Sequence, residues 1–371
     1  MHMLLTPHYP PRRYGGIEKV VQQLARGLRD AGERVVVGAL DLDLDVPSRL
    51  DHDGDIPVMR VASRAASKEA RTLAMFDAQP ALAEAMRRFL EPHTVLHAHD
   101  WFVSPAALSL GVPLLAMIHG VKRAEVSELH ARHQRIHDLQ CELARRADTL
   151  FCASDAARRM ITQHLGVARD RIQLLRLGID EHAEGPIPTT ERRILYLGRL
   201  QPDKGIDTLL RAFREIDDAV LRVVGRGPLH PEGERVTVIP FTSDERVIGD
   251  ELRRASVLVV PSHFEAAGMV VLEAMCRETP VIVSRCGGPE EIVRDGETGQ
   301  LFAPGDSEEL ARLLKITFAR PEETRAMARA GRLQVEKNYR WKFAVETLRH
   351  RCKPALRKSP QALDVFASRD R

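Results

Sequence analysis

Arg193-Ile-Leu-Tyr-Leu-Gly198-Arg199-Leu200-Gln-Pro-Asp-Lys204-Gly205-Ile206 decides how the chain is read. Ile194–Leu197 is a short, continuous apolar run, as expected of a strand covered on both faces. Glycine and proline break the run, and Ile206–Ile216 then repeats apolar residues at helical spacing. The stretch predicts strand, loop and helix, with Arg199 and Lys204 on the loop. An arginine fork and a lysine point charge suit a diphosphate, which needs positive charge that transfers no proton. A solvated pair at a helix start would explain them too, but cations there oppose the helix dipole.

The same unit recurs on both sides. Downstream, strands are predicted at Val220–Val224, Val236–Ile239, Val257–Val260 and Pro280–Ser284, with a helix at Asp250–Arg254. Upstream, they are predicted at Met3–Leu5, Arg34–Ala39, Val95–Ala98, Pro113–His119, Thr149–Ala153 and Ile172–Leu177. Helices fill the gaps at Gly16–Ala31, Leu73–Leu90 and Glu125–Arg146. Such alternation predicts βαβ units and parallel sheets. Asp180–Arg193, with prolines, a glycine and charges but no period, reads as a linker. The expected fold class is α/β with two Rossmann-like domains whose parallel sheets face a central cleft. Residues 1–183 form the first domain, 184–345 the second, and 346–371 a returning helix and tail. Glu322–Glu336 and Trp341–Leu356 are both long enough to return across the first half, and the tail Lys358–Arg371 reads as polar and frayed. Ligands of open sheets bind at the carboxyl ends of the strands.

Composition narrows the function. The 371 residues are 44% apolar and 29% charged, which excludes global disorder. A net charge of +3 is too balanced for a nucleic-acid binder, and 5% aromatics is too few for a single-strand stacking platform. The five cysteines are widely spaced with no C-x-x-C pair, which argues against a disulfide framework or a structural zinc site and for a reducing, cytoplasmic setting. No run reaches the length of a membrane span. Basic residues in Ile17–Arg29 and Lys122–Arg146 leave peripheral contact with acidic lipids open, as does a plain solvated face.

Four further loops carry candidate chemistry. Gly15-Gly16 opens a helix after the first strand, where a close backbone and free N–H groups suit an anion. Glu265-Ala-Ala267-Gly268-Met269-Val270-Val-Leu-Glu273 follows the strand Val257–Val260. Glu265 is placed to hold sugar hydroxyls and Glu273 to accept from a ribose, although a carboxylate stabilising a helix start would fit Glu273 as well. His119-Gly120 closes a strand, where a polar residue faces the cleft, although a satisfied strand-end histidine is by itself the commoner reading. His97, His99 and Asp100 close the preceding strand in the same way and are acceptor-binding candidates. The runs Asp41-x-Asp43-x-Asp45 and Asp51-x-Asp53-x-Asp55 look like metal carboxylates. The second has Ile56 where a calcium loop needs glycine, and both fall between two strands of the first half, so both read as solvated loops. His130, His133 and His137 share a helix face, a stripe read as exposed rather than as a metal site.

Together these residues resemble the retaining glycosyltransferases of family 4, which have the GT-B fold. The resemblance runs from residue 1 to about 350. It rests on Leu197-Gly198-Arg199-Leu200 with Lys204-Gly205, Val224-Gly225-Arg226-Gly227, the E-x7-E pair Glu265 and Glu273, Gly287-Gly288-Pro289-Glu290-Glu291-Ile292-Val293 and Gly299-Gln300-Leu301-Phe302. It implies that Gly198, Arg199 and Lys204 hold the diphosphate of a nucleotide-sugar. Glu265 with Ala267, Gly268, Met269 and Val270 would hold the sugar, Glu273 the ribose, and Gly225 would lie near the base. Gly15 and Gly16 would close on the phosphates, and His119 would sit at the anomeric centre. His119, Glu265, Arg199 and Lys204 are thus the implied catalytic set.

The resemblance also implies a hexosyl donor, UDP-linked as the commonest class with GDP-mannose next, a hydroxyl acceptor, no metal and no cofactor. Retention suggests front-face attack with the leaving phosphate taking the proton. Ala266-Ala267 and Pro240–Ser243 depart from the common pattern beside sugar and base. A sugar-nucleotide epimerase or phosphorylase of the same build is the runner-up. A dehydrogenase lacks its G-x-G-x-x-G after the first strand, and an exported sugar-binding protein lacks its signal. The loops Arg60–Leu73 and Val121–Arg135 are expected to choose the acceptor.

Overall fold

A computed structural model describes residues 1–11, 15–41, 47–62, 74–125, 130–180 and 184–357. Asp43 and Asp45, the tail Lys358–Arg371, and much of the two loops expected to choose the acceptor lie outside the described residues. The chain divides into two compact units. One comprises Met1–Ala153, Ala157–Arg176 and Trp341–Arg371, and the other Ser154–Ala156 and Leu177–Arg340. The boundary thus falls at Arg176/Leu177 rather than at 183/184, and the returning segment starts at Trp341 rather than at 346.

The first unit holds β1 (His2–Thr6), β2 (Val35–Asp41), β3 (Arg49–Asp53), β4 (Ile56–Ala62), β5 (Val95–His99), β6 (Leu114–Met117), β7 (Thr149–Cys152) and β8 (Ile172–Leu174). Their order is β3-β4-β2-β1-β5-β6-β7-β8, parallel except for β3 against β4. Every residue of β1, β2, β5 and β6 is buried, which is why their sequences are mostly apolar, with buried His2, Asp41, His97 and His99 among them. The helix Ile17–Asp30 buries Val20, Val21, Leu24, Ala25 and Leu28 along one stripe. The C-terminal helix Trp341–Arg357 lies beside it. At the crossing, a Cβ on Gly27 would come within 2.5 Å of Val345 Cγ2. Of the two terminal helices expected to return, only this one does. Pro321–Asn338 belongs to the second unit.

The hairpin β3–β4 was not expected, and it corrects the reading of Asp51-x-Asp53-x-Asp55 as a solvated loop. Arg26 and Gln22 donate to Asp53, as does the Tyr9 hydroxyl at 2.8 Å. Asp51 accepts from Arg60 at 2.6 Å, and the same guanidinium donates to the Tyr9 and Pro10 carbonyls. These carboxylates therefore anchor the loop that leaves β1.

The second unit holds β9 (Arg193–Arg199), β10 (Val220–Arg226), β11 (Val236–Pro240), β12 (Val257–Val260), β13 (Val281–Ser284) and β14 (Gln300–Phe302), ordered β11-β10-β9-β12-β13-β14 and all parallel. Strand alternation divides the core. Ile194, Tyr196, Leu221 and Val257 pack with Leu209, Phe213, Leu310 and Leu314 on one face. Leu195, Val224, Leu258 and Val283 pack with Leu252, Val271, Leu272 and Met275 on the other. The helix expected at Asp250–Arg254 starts earlier, at Glu245, where the Asp244 carboxylate accepts from the Arg246 N–H at 2.9 Å. No described helix is long and apolar enough to cross a membrane.

Each sheet reverses its strand order once, between β1 and β5 in the first and between β9 and β12 in the second. Loops leaving the carboxyl ends on either side of such a reversal diverge and leave room for a ligand. In the second unit these are the loops carrying Arg199 with Lys204 and Glu265 with Gly268.

Candidate functional site

In the second unit, backbone geometry brings two distant loops together. β9 ends at Gly198-Arg199, in register with Gly225-Arg226 of β10. The two paired strands lie so close here that a Cβ on Gly225 would come 2.0 Å from the Gly198 carbonyl oxygen. The buried Tyr196 hydroxyl donates to the Arg199 carbonyl at 2.6 Å and fixes the strand end. The turn Pro202–Lys204 then closes on Gly205, whose φ of +64° is the left-handed conformation that glycine adopts freely. Gly205 presses against the backbone after β12, and a Cβ there would lie 2.0 Å from the Pro261 carbonyl oxygen. His263 N–H donates to the Asp203 carbonyl at 2.9 Å across the same seam.

That seam delivers Lys204 to Glu265. Lys204 Nζ lies 2.6 Å from Glu265 Oε2, while Glu265 Oε1 faces the Ala267 and Gly268 amides at 3.5 Å each. Burial alone would raise the Glu265 carboxyl. The Lys204 charge and hydrogen bond, helped by the two amides, outweigh it and hold the group below its ordinary value. Gly268, at φ +73°, caps the helix Met269–Cys276, so the Met269 and Val270 amides belong to its first turn. Arg199 reaches outward, with 48% of its side chain exposed, and pairs with Asp203 at 3.4 Å. Glu273 is half-buried in the second turn of the helix, with its carbonyl bonded by Arg277. The structure thus joins Lys204, Glu265, Ala267 and Gly268 directly, and links Arg199 to them through Asp203. The role of Asp203 and that of Gly287-Gly288 were missed from sequence. Gly288 N–H donates to the Glu265 carbonyl at 2.8 Å, so the second glycine pair clamps the backbone of the carboxylate.

In the first unit, β5 and β6 are neighbours, and His99 Nδ1 meets His119 Nε2 at 3.0 Å. His97 and Asp100 do not join that pair; their polar atoms are taken up elsewhere in the unit. His97 is enclosed between strands and bonds instead to His2 across β1, with Nε2 2.8 Å from His2 Nδ1. Asp100 turns inward. It accepts from Trp101 N–H at 2.7 Å, from His119 N–H at 3.0 Å and from Gln140 Nε2 at 2.9 Å. Gln140 also donates to the Gly120 carbonyl and accepts from Lys122 N–H. Asp100 and Gln140 therefore set the loop that presents His119. At Gly15-Gly16, the expected free N–H groups are partly met from within, since Gly15 N–H donates to the Glu18 carboxylate at 3.1 Å.

Burial lowers His119 from an ordinary 6.5 to about 4, so it is neutral at neutral pH. The unfolded chain takes up a proton below 6.5 that the native ring refuses. The contribution of this ring to stability is full above pH 6.5 and is lost as pH falls toward 4. The urea midpoint of the wild-type chain should therefore fall further between about pH 7.5 and pH 5 than that of His119→Gln. Equal falls would contradict the neutral, buried ring.

Two family descriptions cover most of the chain. Residues 14–183 match Glycosyltransferase Family 4, and residues 179–334 match Glycosyl transferases group 1. The glycogen synthase of Mycobacterium tuberculosis is 28% identical over 377 residues, covering 91% of each chain. A D-inositol 3-phosphate glycosyltransferase of Acidothermus cellulolyticus is 28% identical over 337 residues, covering 77% of this chain and 74% of that one. Among solved structures, the sucrose-phosphate synthase of Thermosynechococcus elongatus superposes with a TM-score of 0.84 at 22% identity over 96% of this chain and 99% of its own. Anabaena HepE, solved with UDP-glucose, superposes at 0.73 and 18% identity over 95% of this chain and all of its own.

Proposed function

The chain belongs to the family 4 glycosyltransferases of GT-B fold, enzymes that move a sugar from a nucleotide-sugar, and from that premise we propose that it transfers a hexosyl group from a UDP-sugar to a hydroxyl, with retention and without a metal ion. The observation that carries this reading is the Lys204–Glu265 pair, held at 2.6 Å where the second sheet reverses its strand order.

Cleaving a sugar–phosphate bond leaves negative charge on the diphosphate and positive charge on the ring. Lys204 and Arg199 are fixed cations for the first, and the first-turn amides of the helix Met269–Cys276 add partial positive charge. A donor phosphate draws Lys204 away from Glu265. The released carboxylate then accepts from sugar hydroxyls, while its backbone stays clamped by Gly288. Glu265 titrates low and is a binding group in this scheme, not a base. The leaving phosphate takes the acceptor proton. His119, held neutral by burial, offers the substrate a hydrogen bond without a charge. Fixed cations do the work a divalent ion would otherwise do at the diphosphate. UDP is favoured over GDP because the Anabaena neighbour was solved with UDP-glucose.

Ligands that bind only the native state raise its apparent stability. UDP and one UDP-hexose should therefore raise the melting temperature more than GDP, ADP or TDP and their sugars. A larger response to GDP-mannose would overturn the UDP assignment and make the enzyme a mannosyltransferase. Transfer should proceed equally with and without added Mg2+ or Mn2+, and the product should keep the anomeric configuration of the donor by NMR. Glu265→Gln should reduce kcat/KM for the nucleotide-sugar by about 10²-fold or more while leaving UDP affinity within a few-fold. Equal loss of both would contradict its sugar-binding role.

A further inference from the structure

Three buried metal-ligand side chains from distant parts of the first unit converge where the C-terminal helix crosses the sheet. His2 lies on β1, His97 on β5 and Cys352 on the helix Trp341–Arg357, and they are 6%, 3% and 3% exposed. One ligand atom of each lies within 4.8 Å of the other two. We propose that His2, His97 and Cys352 form a structural site for a zinc-class divalent cation that staples the C-terminal helix to β1 and β5.

The donor set fits such an ion. Two imidazole nitrogens and one thiolate are borderline-soft ligands, which favour zinc over magnesium or calcium. The imidazole nitrogens already face each other, with His2 Nδ1 2.8 Å from His97 Nε2. A carboxylate stands behind the first ligand. Glu33 Oε2 lies 3.7 Å from His2 Nε2, where a metal-bound histidine turns its remaining N–H toward an acceptor. Glu33 is itself held by Arg349 at 2.9 Å, one helical turn before Cys352. One helix thus addresses His2 twice, through Glu33 and through its own thiol.

Without an ion, the arrangement buries two imidazoles that share one hydrogen bond beside a neutral thiol. Burial holds the His2 ring near 4 and His97 lower still, so both are in the uncharged form that ligates, and it pushes the Cys352 thiol up to about 12. Binding releases the thiol proton to solvent as the metal–sulfur bond forms. The proton of the His2–His97 bond moves to a ring nitrogen facing away from the ion, on His2 toward Glu33. Zinc–nitrogen bonds of about 2.0–2.1 Å and a zinc–sulfur bond of about 2.3 Å spread the donor atoms to roughly 3.3–3.7 Å, so His2 and His97 move slightly apart and the thiol moves in. The ion takes no part in sugar transfer.

The test uses the full chain without a histidine tag, purified free of chelators and assayed by elemental analysis. About one zinc per chain is expected for the wild type, and at least about tenfold less after equal dialysis for Cys352→Ser and His2→Gln. Stripping the wild type should lower its melting temperature, and Zn2+ should restore it. Cobalt substitution of the unmutated chain should give a thiolate-to-cobalt charge-transfer band, which keeps the proposal testable if a variant fails to fold. A metal-free chain whose melting temperature ignores Zn2+ would overturn it. So would zinc retained in both variants, which would place the ion elsewhere, for instance on the stripe His130, His133 and His137, where two Nδ1 atoms are buried without a partner.

Discussion

Lys204→Ala is expected to lower transfer by about 10²–10³-fold with the second unit still folded. The side chain is 13% exposed and meets groups of its own seam, the Glu265 carboxylate, the Phe264 carbonyl and, at 4.0 Å, the Asp203 carboxylate. Its removal takes a fixed cation from the leaving diphosphate, where charge develops most in the transition state. It also frees the Glu265 carboxyl from its largest stabilising charge, so that carboxyl should titrate higher in the variant. Glu265 keeps the Ala267 and Gly268 amides and some water, so the cost in stability should be modest beside the cost in rate. Steady-state kinetics at saturating donor, with a urea titration of the same sample, separates the two. A near-wild-type kcat in a folded Lys204→Ala chain would remove the basis for the proposed donor site.

Gly205→Ala should show the reverse pattern, a structural failure that carries activity down with it. A left-handed φ costs a non-glycine residue about 1–3 kcal/mol, and an overpacked site about 1–3 kcal/mol more. Here the new methyl would meet the Pro261 carbonyl oxygen at 2.0 Å, and a backbone atom cannot rotate aside. The sum, about 2–6 kcal/mol, is a large part of the total stability of an ordinary domain. Gly16→Ala is the comparison. A Cβ there meets nothing within 4 Å, so stability should hold, and any loss of transfer would report contact with substrate. If Gly205→Ala melts like the wild type, the tight seam that delivers Lys204 to Glu265 is not as described.

Sequence revealed most readily the strands that are covered on both faces, although it also found the half-exposed β11 and missed the buried β4. Val257–Val260 and Ile194–Leu197 are covered on both faces, so their runs are continuous and readable. β3 escaped because it is a half-exposed edge strand, and its alternating Arg49, Asp51 and Asp53 look like a charged loop until Arg60, Arg26 and Tyr9 are seen to bind them. β14 escaped because three residues after a tight turn give no period. The motifs of the second unit gave the residue types of the candidate site, but not the pairing of Lys204 with Glu265. That distance depends on β12 lying beside β9, which no local pattern encodes. His97 misled because a strand-end histidine can turn toward either neighbouring strand, and β1 offered His2. The cysteine spacing argued against zinc because it compared cysteines only with one another. The proposed ligands are one cysteine and two histidines from three separate segments.

The first unit is completed by the last described helix, Trp341–Arg357, laid against Ile17–Asp30. On the ribosome, domains generally fold in the order they emerge. Here the first unit needs a segment made after the whole of the second, so the middle of the chain has all its parts before the leading half does. A nascent chain stalled before Trp341 would hold every segment of the second unit but a first unit still lacking the helix that lies against Ile17–Asp30.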